Sequence, residues 1–254
     1  MLVVSAHPDD ETICLGGTMA MYAHRGTEIT ILCTTRGEGG SCGGPPICTQ
    51  AQLGAVREQE MRCAARVLGV GRVEFLNYVD PPPAPGNVLR PAAPDMSGFK
   101  TRLVEILRLL RPQVVVTHGS NGEYGHPQHV ATNRAMTEAF FLAGNRDINT
   151  GLDLPPHQPA KLYYFAAAAP PALRFSHFAN MDDPPTLAFD ISAYLAIKHQ
   201  AFACHYTQIA TALRDAGLAQ AQGIFPSVEY LHRRFPRPSE AEGDLFEGII
   251  PKAP

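Results

Sequence analysis

The sequence predicts an α/β fold, a Rossmann-like three-layer sandwich with a mostly parallel central sheet and helices on both faces. Two observations support this prediction. Short runs of apolar and β-branched residues alternate along the chain with longer segments of helical periodicity, and glycine or proline separates many of them. A chain of 254 residues is also long enough to bury an ample core, so we expect a single domain over residues 1–254.

Four predicted strands alternate with three predicted helices in the first half of the chain. The strands are the apolar runs at 2–5, 28–34, 72–77 and 113–117. The helices are the periodic segments at 12–24, 50–68 and 99–110. Gly26 and Gly69 mark the ends of the first two helices. This order of elements is typical of a parallel sheet that is covered on both faces.

The second half of the chain has a less regular pattern. It predicts a helix at 130–141, strands at 161–167 and 186–190, and a long amphipathic helix within 191–216. Proline interrupts the C-terminal ~40 residues, so we expect them to wrap the surface. The segments 145–159 and 169–185 have the character of insertions, which often shape a substrate pocket.

The composition restricts the class of partner. A formal net charge of -3 and an isoelectric point near 6.4 provide no general basic field, which argues against nucleic acid and anionic membranes. No apolar run approaches the ~20 residues that cross a bilayer, and the N-terminus lacks the features of a signal peptide. We therefore expect a cytoplasmic protein with a small-molecule ligand. The composition is compatible with a homo-oligomer.

Six cysteines are an ordinary number for a cytosolic enzyme of this length. We expect most of them to be reduced, buried thiols. Cys42 and Cys48 differ because they flank a glycine- and proline-rich loop at 43–47. One interpretation is that these two cysteines form a disulfide or bind a metal, and the other is that they have no special role in the loop. Their spacing matches no common zinc motif.

A cluster of polar residues follows the first predicted strand. In the run His7-Pro8-Asp9-Asp10-Glu11, His7 and Asp10 are three residues apart, so a turn that enters a helix places both on one side. Asp9 then points elsewhere. The competing interpretation is that Asp9 or Asp10 caps the helix, Pro8 shapes the turn and Glu11 complements the helix dipole.

A second cluster, His126-Pro127-Gln128-His129, follows the strand predicted at 113–117. One histidine of the cluster can bind a metal while the other faces a substrate, or both can be surface histidines at a helix start. Ligand sites of parallel sheets lie beyond the carboxyl ends of the strands, so the two clusters can share one site. Two histidines and an aspartate fit a hydrolytic zinc ion with an open position for water.

Several segments together carry a family resemblance. They are AHPDDE at 6–11, TRGE at 35–38, REQE at 57–60 leading to LGV at 68–70, YGHPQH at 124–129, and Lys198, His205 and Gln208 in a late helix. These segments resemble the LmbE-like (PIG-L) family of zinc-dependent sugar N-deacetylases. The resemblance spans residues 1 to about 210 and is nearest in motif to the mycothiol- and bacillithiol-pathway deacetylases.

The resemblance implies a set of metal and catalytic residues. It implies zinc held by His7, Asp10 and His129, and Asp9 as the general base. Iron also accepts such nitrogen and oxygen ligands. The family's other histidine falls on His126 and a tyrosine of one branch on Tyr124. Either Asp9 or His126 would protonate the departing amine.

The resemblance also implies substrate contacts. It places a sugar-binding arginine on Arg57 and an acceptor for a sugar hydroxyl on Asp80. The alternative for Arg57 is an ion pair with Glu60 within the same helix. The alternative for Asp80 is that it only begins a turn before a proline. Gln128 departs from the family, because many relatives carry an acidic residue there that orients the neighbouring histidine.

These expectations define one function and its competitors. The resemblance implies a hydrolase that removes an N-acetyl group from an N-acetylglucosamine-type sugar or its conjugate, by metal-activated water with an aspartate base. An amidase on a thiol conjugate or another N-acyl substrate would use the same chemistry. A sugar- or metal-binding protein without turnover is a further alternative. A nucleotide-binding or redox module is disfavoured, because His-Pro-Asp-Asp stands where a glycine-rich phosphate turn would be.

Overall fold

The structure is a computed structural model that describes residues 1–86, 88–92, 95–166, 180–215, 224–238 and 242–249. Its strands are β1 (Leu2–Ser5), β2 (Thr30–Thr35), β3 (Arg72–Tyr78), β4 (Val114–Thr117), β5 (Lys161–Ala166), β6 (Leu187–Asp190) and β7 (Val228–Phe235). Its helices are α1 (Asp10–His24), α2 (Gln50–Leu68), α3 (Met96–Leu110), α4 (Gly122–Gly125), α5 (Pro127–Leu142), α6 (Leu195–Ala203) and α7 (Tyr206–Asp215).

The seven strands form one sheet in the order β3-β2-β1-β4-β5-β7-β6. The five strands from β3 to β5 are parallel, whereas β7 is antiparallel to both β5 and β6. Helices α1, α2 and α6 pack together on one face, and α3 packs against α5 on the other. The expected three-layer α/β sandwich is therefore confirmed.

The buried strands show why the sheet needs two covering layers. Val3 of β1 belongs to the apolar core beneath α1, whereas Leu2 and Val4 belong to the core beneath α3 and α5. All four residues of β4 are buried as well. A parallel strand in the centre of a sheet is apolar on both faces because each face meets a helical layer.

The sheet topology positions the two polar clusters. β1 and β4 are hydrogen-bonded neighbours, and the chain leaves β1 towards β2 on one side and β4 towards β5 on the other. Such a reversal of strand order opens a crevice at the carboxyl ends of the two strands. The segments that follow Ser5 and Thr117 both lie at this crevice.

Three helices begin earlier than their periodicity predicts, and in α3 and α5 a capping side chain precedes the apolar positions. Helix α3 starts at Met96, where the Asp95 carboxylate accepts hydrogen bonds from the backbone N–H groups of Ser97 and Gly98. Helix α5 starts at Pro127, a residue suited to the first helical position. Helix α1 starts at Asp10, inside the first polar cluster.

The long helix predicted within 191–216 is wrong for the described part of that segment. A short 3-10 turn at Ser192–Tyr194 leads into α6, and α7 begins separately at Tyr206. Glu60 of α2 accepts hydrogen bonds from the backbone N–H of Thr207 at 2.8 Å and from its hydroxyl at 2.7 Å. A carboxylate at this position favours a new helix N-terminus, so the chain turns there instead of continuing. Residues 167, 169–179 and 216 of the predicted segments lie outside the described residues.

The C-terminal region was expected to wrap the surface, and this is wrong for Val228–Phe235. These residues form β7, which is inserted in the sheet between β5 and β6. Pro226 and Pro236 flank the strand without occupying its hydrogen-bonded ladder. The charged residues of this segment did not indicate a strand. One of them, Glu229, is buried in the structure, where its carboxylate lies 2.6 Å from the Lys198 ammonium.

The cysteines also differ in part from expectation. Cys63 of α2 and Cys204, just after α6, form a disulfide that joins positions 141 residues apart. Sequence spacing could not indicate this pair, because the fold brings the two positions together. Cys42 and Cys48 are free thiols, as are Cys14 and Cys33.

None of the helices in the described ranges combines the length and the apolar character that a membrane span requires.

Candidate metal and catalytic site

Three of the predicted ligands meet at the crevice between β1 and β4. Nδ1 of His7 lies 3.2 Å from Nε2 of His129 and 3.5 Å from a carboxylate oxygen of Asp10. Nε2 of His129 lies 3.3 Å from the other oxygen of Asp10. All three side chains are buried. One short loop and the first turns of α1 and α5 thus bring three donor atoms to one point.

Each of these three side chains also has a hydrogen-bonding partner outside the cluster of donor atoms. The Asp10 carboxylate accepts the backbone N–H of His7 at 2.8 Å, which locks the turn between them. Nε2 of His7 contacts the Oε1 atom of Gln128 at 2.8 Å. Nδ1 of His129 contacts a carboxylate oxygen of Glu123 at 2.6 Å. A histidine that binds a metal generally has such a partner on its second ring nitrogen.

Glu123 and His118 are site residues that the sequence reasoning missed. The Glu123 carboxylate also contacts Nδ1 of His118 at 2.7 Å and accepts the backbone N–H of Gly119 at 2.8 Å. Burial alone would raise the pKa of Glu123, but His118 and His129 lower it to about 2. Glu123 has a φ of 60°, an uncommon conformation for this residue type. The position of His118 directly after β4 was the available signal.

Two overlapping groups have ligand atoms within 4.8 Å of one another, His7 with His126 and His129, and Asp10 with His118 and His129. His118 is unsuited to a metal, because its Nε2 accepts the backbone N–H of Ala6 at 2.9 Å and its Nδ1 faces Glu123. His126 stands beside the three predicted ligands. The donor set of two imidazoles and a carboxylate therefore fits a cation of the zinc or iron type.

His126 and Tyr124 lie at the rim of this cluster. Nδ1 of His126 accepts the backbone N–H of Gln128 at 3.3 Å, so the proton of its neutral ring is on Nε2. Burial, together with nearby His7, lowers the pKa of His126 to about 3. The Tyr124 ring centroid lies 5.7 Å from that of His126 and 5.5 Å from that of His129, and the residue is 55% exposed. Both residues can offer a hydrogen-bond donor to a bound ligand.

Asp9 occupies the N-cap position of α1, but within the described residues its side chain makes no capping hydrogen bond. Its φ of 122° is strained for a residue with a side chain. Its backbone N–H donates to the Glu11 carboxylate at 3.3 Å, and its own carboxylate lies 3.4 Å from Nη2 of Arg57. Burial raises the pKa of Asp9 to about 7, against the opposing effect of Arg57.

Arg57 supports the first cluster from α2. Its guanidinium donates to the carbonyl oxygens of Pro8 at 2.5 Å and Gly37 at 3.1 Å, and the residue is only 3% exposed. The alternative ion pair with Glu60 is not the arrangement seen, since Glu60 accepts hydrogen bonds from Thr207. Arg57 thus joins the loop after β1 to the loop after β2.

Asp80 does more than begin a turn. Its two carboxylate oxygens accept hydrogen bonds from the Gln128 amide at 2.5 Å and from the backbone N–H of Gly39 at 3.2 Å. Its own backbone N–H donates to the Glu38 carboxylate at 2.9 Å. Through Gln128, Asp80 is connected to His7.

Comparisons with known proteins give a matching family and named relatives. The sequence model of the family described as PIG-L, GlcNAc-PI de-N-acetylase, matches residues 2–140. A protein of Thermobifida fusca (strain YX), named 1D-myo-inositol 2-acetamido-2-deoxy-alpha-D-glucopyranoside deacetylase, is 36% identical over 97% of this chain and 98% of its own length.

Solved structures share the fold over almost the whole chain. The conserved protein TT1542 from Thermus thermophilus has a TM-score of 0.67 and 26% identity, covering 92% of this chain and 94% of its own. GalB, the 4-carboxy-2-hydroxymuconate hydratase of Pseudomonas putida KT2440, has a TM-score of 0.66 and 25% identity, covering 94% and 97%. The fold is therefore not confined to deacetylases.

Proposed function

Because the chain belongs to the PIG-L family of GlcNAc-PI de-N-acetylases, we propose that it is a hydrolase that removes the N-acetyl group from an N-acetylglucosamine-type sugar or its conjugate. The observation that carries this proposal is the buried convergence of His7, Asp10 and His129 with Asp9 beside them. The first substrate to consider is N-acetylglucosamine linked to inositol, on which the Thermobifida fusca protein is named to act.

The ligand chemistry supports zinc held by His7, Asp10 and His129, with iron as the alternative metal. The two imidazole nitrogens and the carboxylate face one another with separations of 3.2 to 3.5 Å. When bound by three such residues, zinc acts as a Lewis acid and lowers the pKa of its water to ~7.

Asp9 is the proposed general base. It is buried beside the three ligands, and a carboxyl group with a pKa of about 7 can both accept a proton and return it near neutral pH. Arg57 holds the Pro8 carbonyl and lies against the Asp9 carboxylate, which keeps the base in position. Asp9 takes the proton of the attacking water as the water adds to the amide carbonyl.

His126 and Tyr124 are proposed to stabilise the oxyanion that forms on the carbonyl. A neutral His126 presents an N–H at Nε2 and does not carry the spare proton of an imidazolium. Asp9, protonated in the first step, is therefore the better donor to the departing amine. Acetate and a free amino sugar are the products.

We further propose that Asp80 contributes to the substrate-binding wall and that Arg57 acts there by positioning the loop at Gly37. An amidase on a thiol conjugate would use the same residues and differ in the wall. The single domain, the cytoplasmic location and the oligomeric state stay predictions.

The test is release of acetate from N-acetylglucosaminyl-inositol, from free N-acetylglucosamine and from an N-acetylated thiol conjugate. We expect turnover of the sugar substrates and a fall in kcat of ~10²–10⁴-fold in Asp9→Asn, with bound zinc retained. The exposed Asp182 supplies a matched control, Asp182→Asn, which should keep full activity. Equal turnover by Asp9→Asn would remove Asp9 as the base. Exclusive turnover of the thiol conjugate would favour the amidase, and zinc binding without any turnover would favour a binding protein.

A further inference from the structure

Gln128 lies in the first turn of α5, between one proposed metal ligand and one proposed substrate residue. Its Oε1 atom is 2.8 Å from Nε2 of His7. Its Nε2 atom is 2.5 Å from Asp80 Oδ1 and 3.1 Å from the Arg90 carbonyl oxygen. The side chain is buried, with 3% of its surface exposed. Each end of this amide therefore has a defined protein partner.

The surroundings allow only one orientation of the amide. Both the Arg90 carbonyl and the Asp80 carboxylate are acceptors, so the atom that faces them must be the NH₂ group. The carbonyl oxygen of Gln128 then faces Nε2 of His7, and an oxygen can only accept. Nε2 of His7 must therefore carry a proton to make this contact.

This orientation has a consequence for the site. With its proton on Nε2, a neutral His7 has its lone pair on Nδ1, the atom that lies 3.2 Å from His129 Nε2 and 3.5 Å from Asp10. His129 is fixed in the complementary way, because Glu123 occupies its Nδ1. Both imidazoles thus direct an unprotonated nitrogen to the same point.

We propose that Gln128 is a positioning residue that holds His7 in the tautomer with a free Nδ1, and that Asp80 fixes the amide orientation on which this tautomer depends. The inference rests on the proposed function for the role of His7 as a metal ligand. Asp80 then serves the metal centre through the oxygen that accepts from Gln128, while its second oxygen accepts the backbone N–H of Gly39 in the loop after β2.

A reciprocal exchange of amide and carboxylate tests this chain of hydrogen bonds. In Gln128→Glu, a carboxylate oxygen would face Asp80 and the Arg90 carbonyl with no proton between them. In Gln128→Glu with Asp80→Asn, the new asparagine can donate to the carboxylate at position 128 and still accept from Gly39, so only the contact with the Arg90 carbonyl stays without a proton. The double variant keeps one carboxylate and one amide at positions 80 and 128, and the side chain at position 128 can still accept a hydrogen bond from Nε2 of His7.

The probe is zinc itself, titrated against a chromophoric chelator. We expect the zinc affinity to fall ~10–100-fold in Gln128→Glu and to rise again by at least about threefold in the double variant, in which one of the two unfavourable contacts is relieved. Gln158→Glu is the matched control, because the Gln158 amide donates to the backbone carbonyls of Phe140 and Pro159, and it should leave the affinity unchanged. An unchanged affinity in Gln128→Glu, or a double variant that binds zinc no more tightly than Gln128→Glu, would overturn the proposal.

The tautomer of His7 gives a second readout that does not depend on any variant folding. In zinc-loaded wild-type protein with ¹⁵N-labelled histidine, long-range ¹H–¹⁵N correlation should show the His7 proton on Nε2. A proton on Nδ1 would refute the assigned role. Absence of acetate release from the same zinc-loaded protein would contradict the proposed reaction instead, so the two failures are distinguishable.

Discussion

Replacement of Glu123 by glutamine should weaken metal binding without removing a ligand. One oxygen of Glu123 faces both Nδ1 of His129 at 2.6 Å and Nδ1 of His118 at 2.7 Å, and the other accepts the Gly119 N–H at 2.8 Å. A glutamine has one oxygen, so its NH₂ group must face either Gly119 or the two imidazoles. In both orientations His129 loses its ionised partner.

The magnitude follows from the bond that changes. Hydrogen bonds to a charged group contribute about 1.5–3 kcal/mol and neutral ones about 0.5–1.5 kcal/mol, so the His129 bond weakens by ~1–2 kcal/mol. Loss of such a partner typically reduces metal affinity ~10–100-fold, which corresponds to about 1.4–2.8 kcal/mol. The two estimates agree in size.

The assay is a zinc competition titration of wild type and Glu123→Gln, with circular dichroism to verify the fold. Glu60→Gln is the control, because Glu60 is also a buried carboxylate that accepts two hydrogen bonds, both from Thr207. We expect tenfold or greater weakening in the first variant and none in the second. Equal zinc affinities of wild type and Glu123→Gln would refute the assignment of His129 as a ligand supported by Glu123.

Two further predictions concern the base and the buried ion pair. Since a protonated Asp9 cannot accept a proton, kcat/KM for acetate release should decline as the pH falls through about 7, and the residual activity of Asp9→Asn should lack this acid limb. An acid limb retained in that variant would assign it to another group. Lys198→Met should lower the unfolding free energy by ~3–5 kcal/mol, because it leaves the buried Glu229 carboxylate without its cation. Urea denaturation measures this change, and a loss below about 1 kcal/mol would contradict the stabilising role of the pair.

The periodic segments and the two polar clusters made most of the fold and the centre of the site predictable. β1 and β4 are apolar on both faces, and each leads directly into a ligand-rich segment at the sheet edge. The strand order of a parallel sheet brings such ends together, and the family resemblance then selected His7, Asp10 and His129 as the expected ligands. These strands could be predicted from the sequence because an apolar run is a local feature of the chain.

The parts that were missed depend on contacts between distant residues. The division between α6 and α7 follows from Glu60, which binds Thr207 across 147 residues. β7 is a strand because Glu229 is neutralised by Lys198 and bonded to the backbone N–H groups of Gly17 and Thr18. Local propensity assigns no strand to a segment with so many charged side chains, and only the assembled fold supplies their partners.

The role of Gln128 also required the structure. The family resemblance implies an acidic residue at this position that orients the neighbouring histidine. The observed partners of its side chain are instead His7, Asp80 and the Arg90 carbonyl. The direction of a side chain at the start of a helix depends on the loops that cover it, which the motif itself does not specify.

Reconstitution with metal tests the central claim most directly. Protein stripped with a chelator and then supplied with increasing zinc should regain acetate release in proportion to occupancy, with a plateau at a single ion per chain. His129→Ala should lose both the tight binding and the recovery. Stripped protein that releases acetate at the full rate, or full recovery in His129→Ala, would contradict a hydrolytic metal centre built from His7, Asp10 and His129.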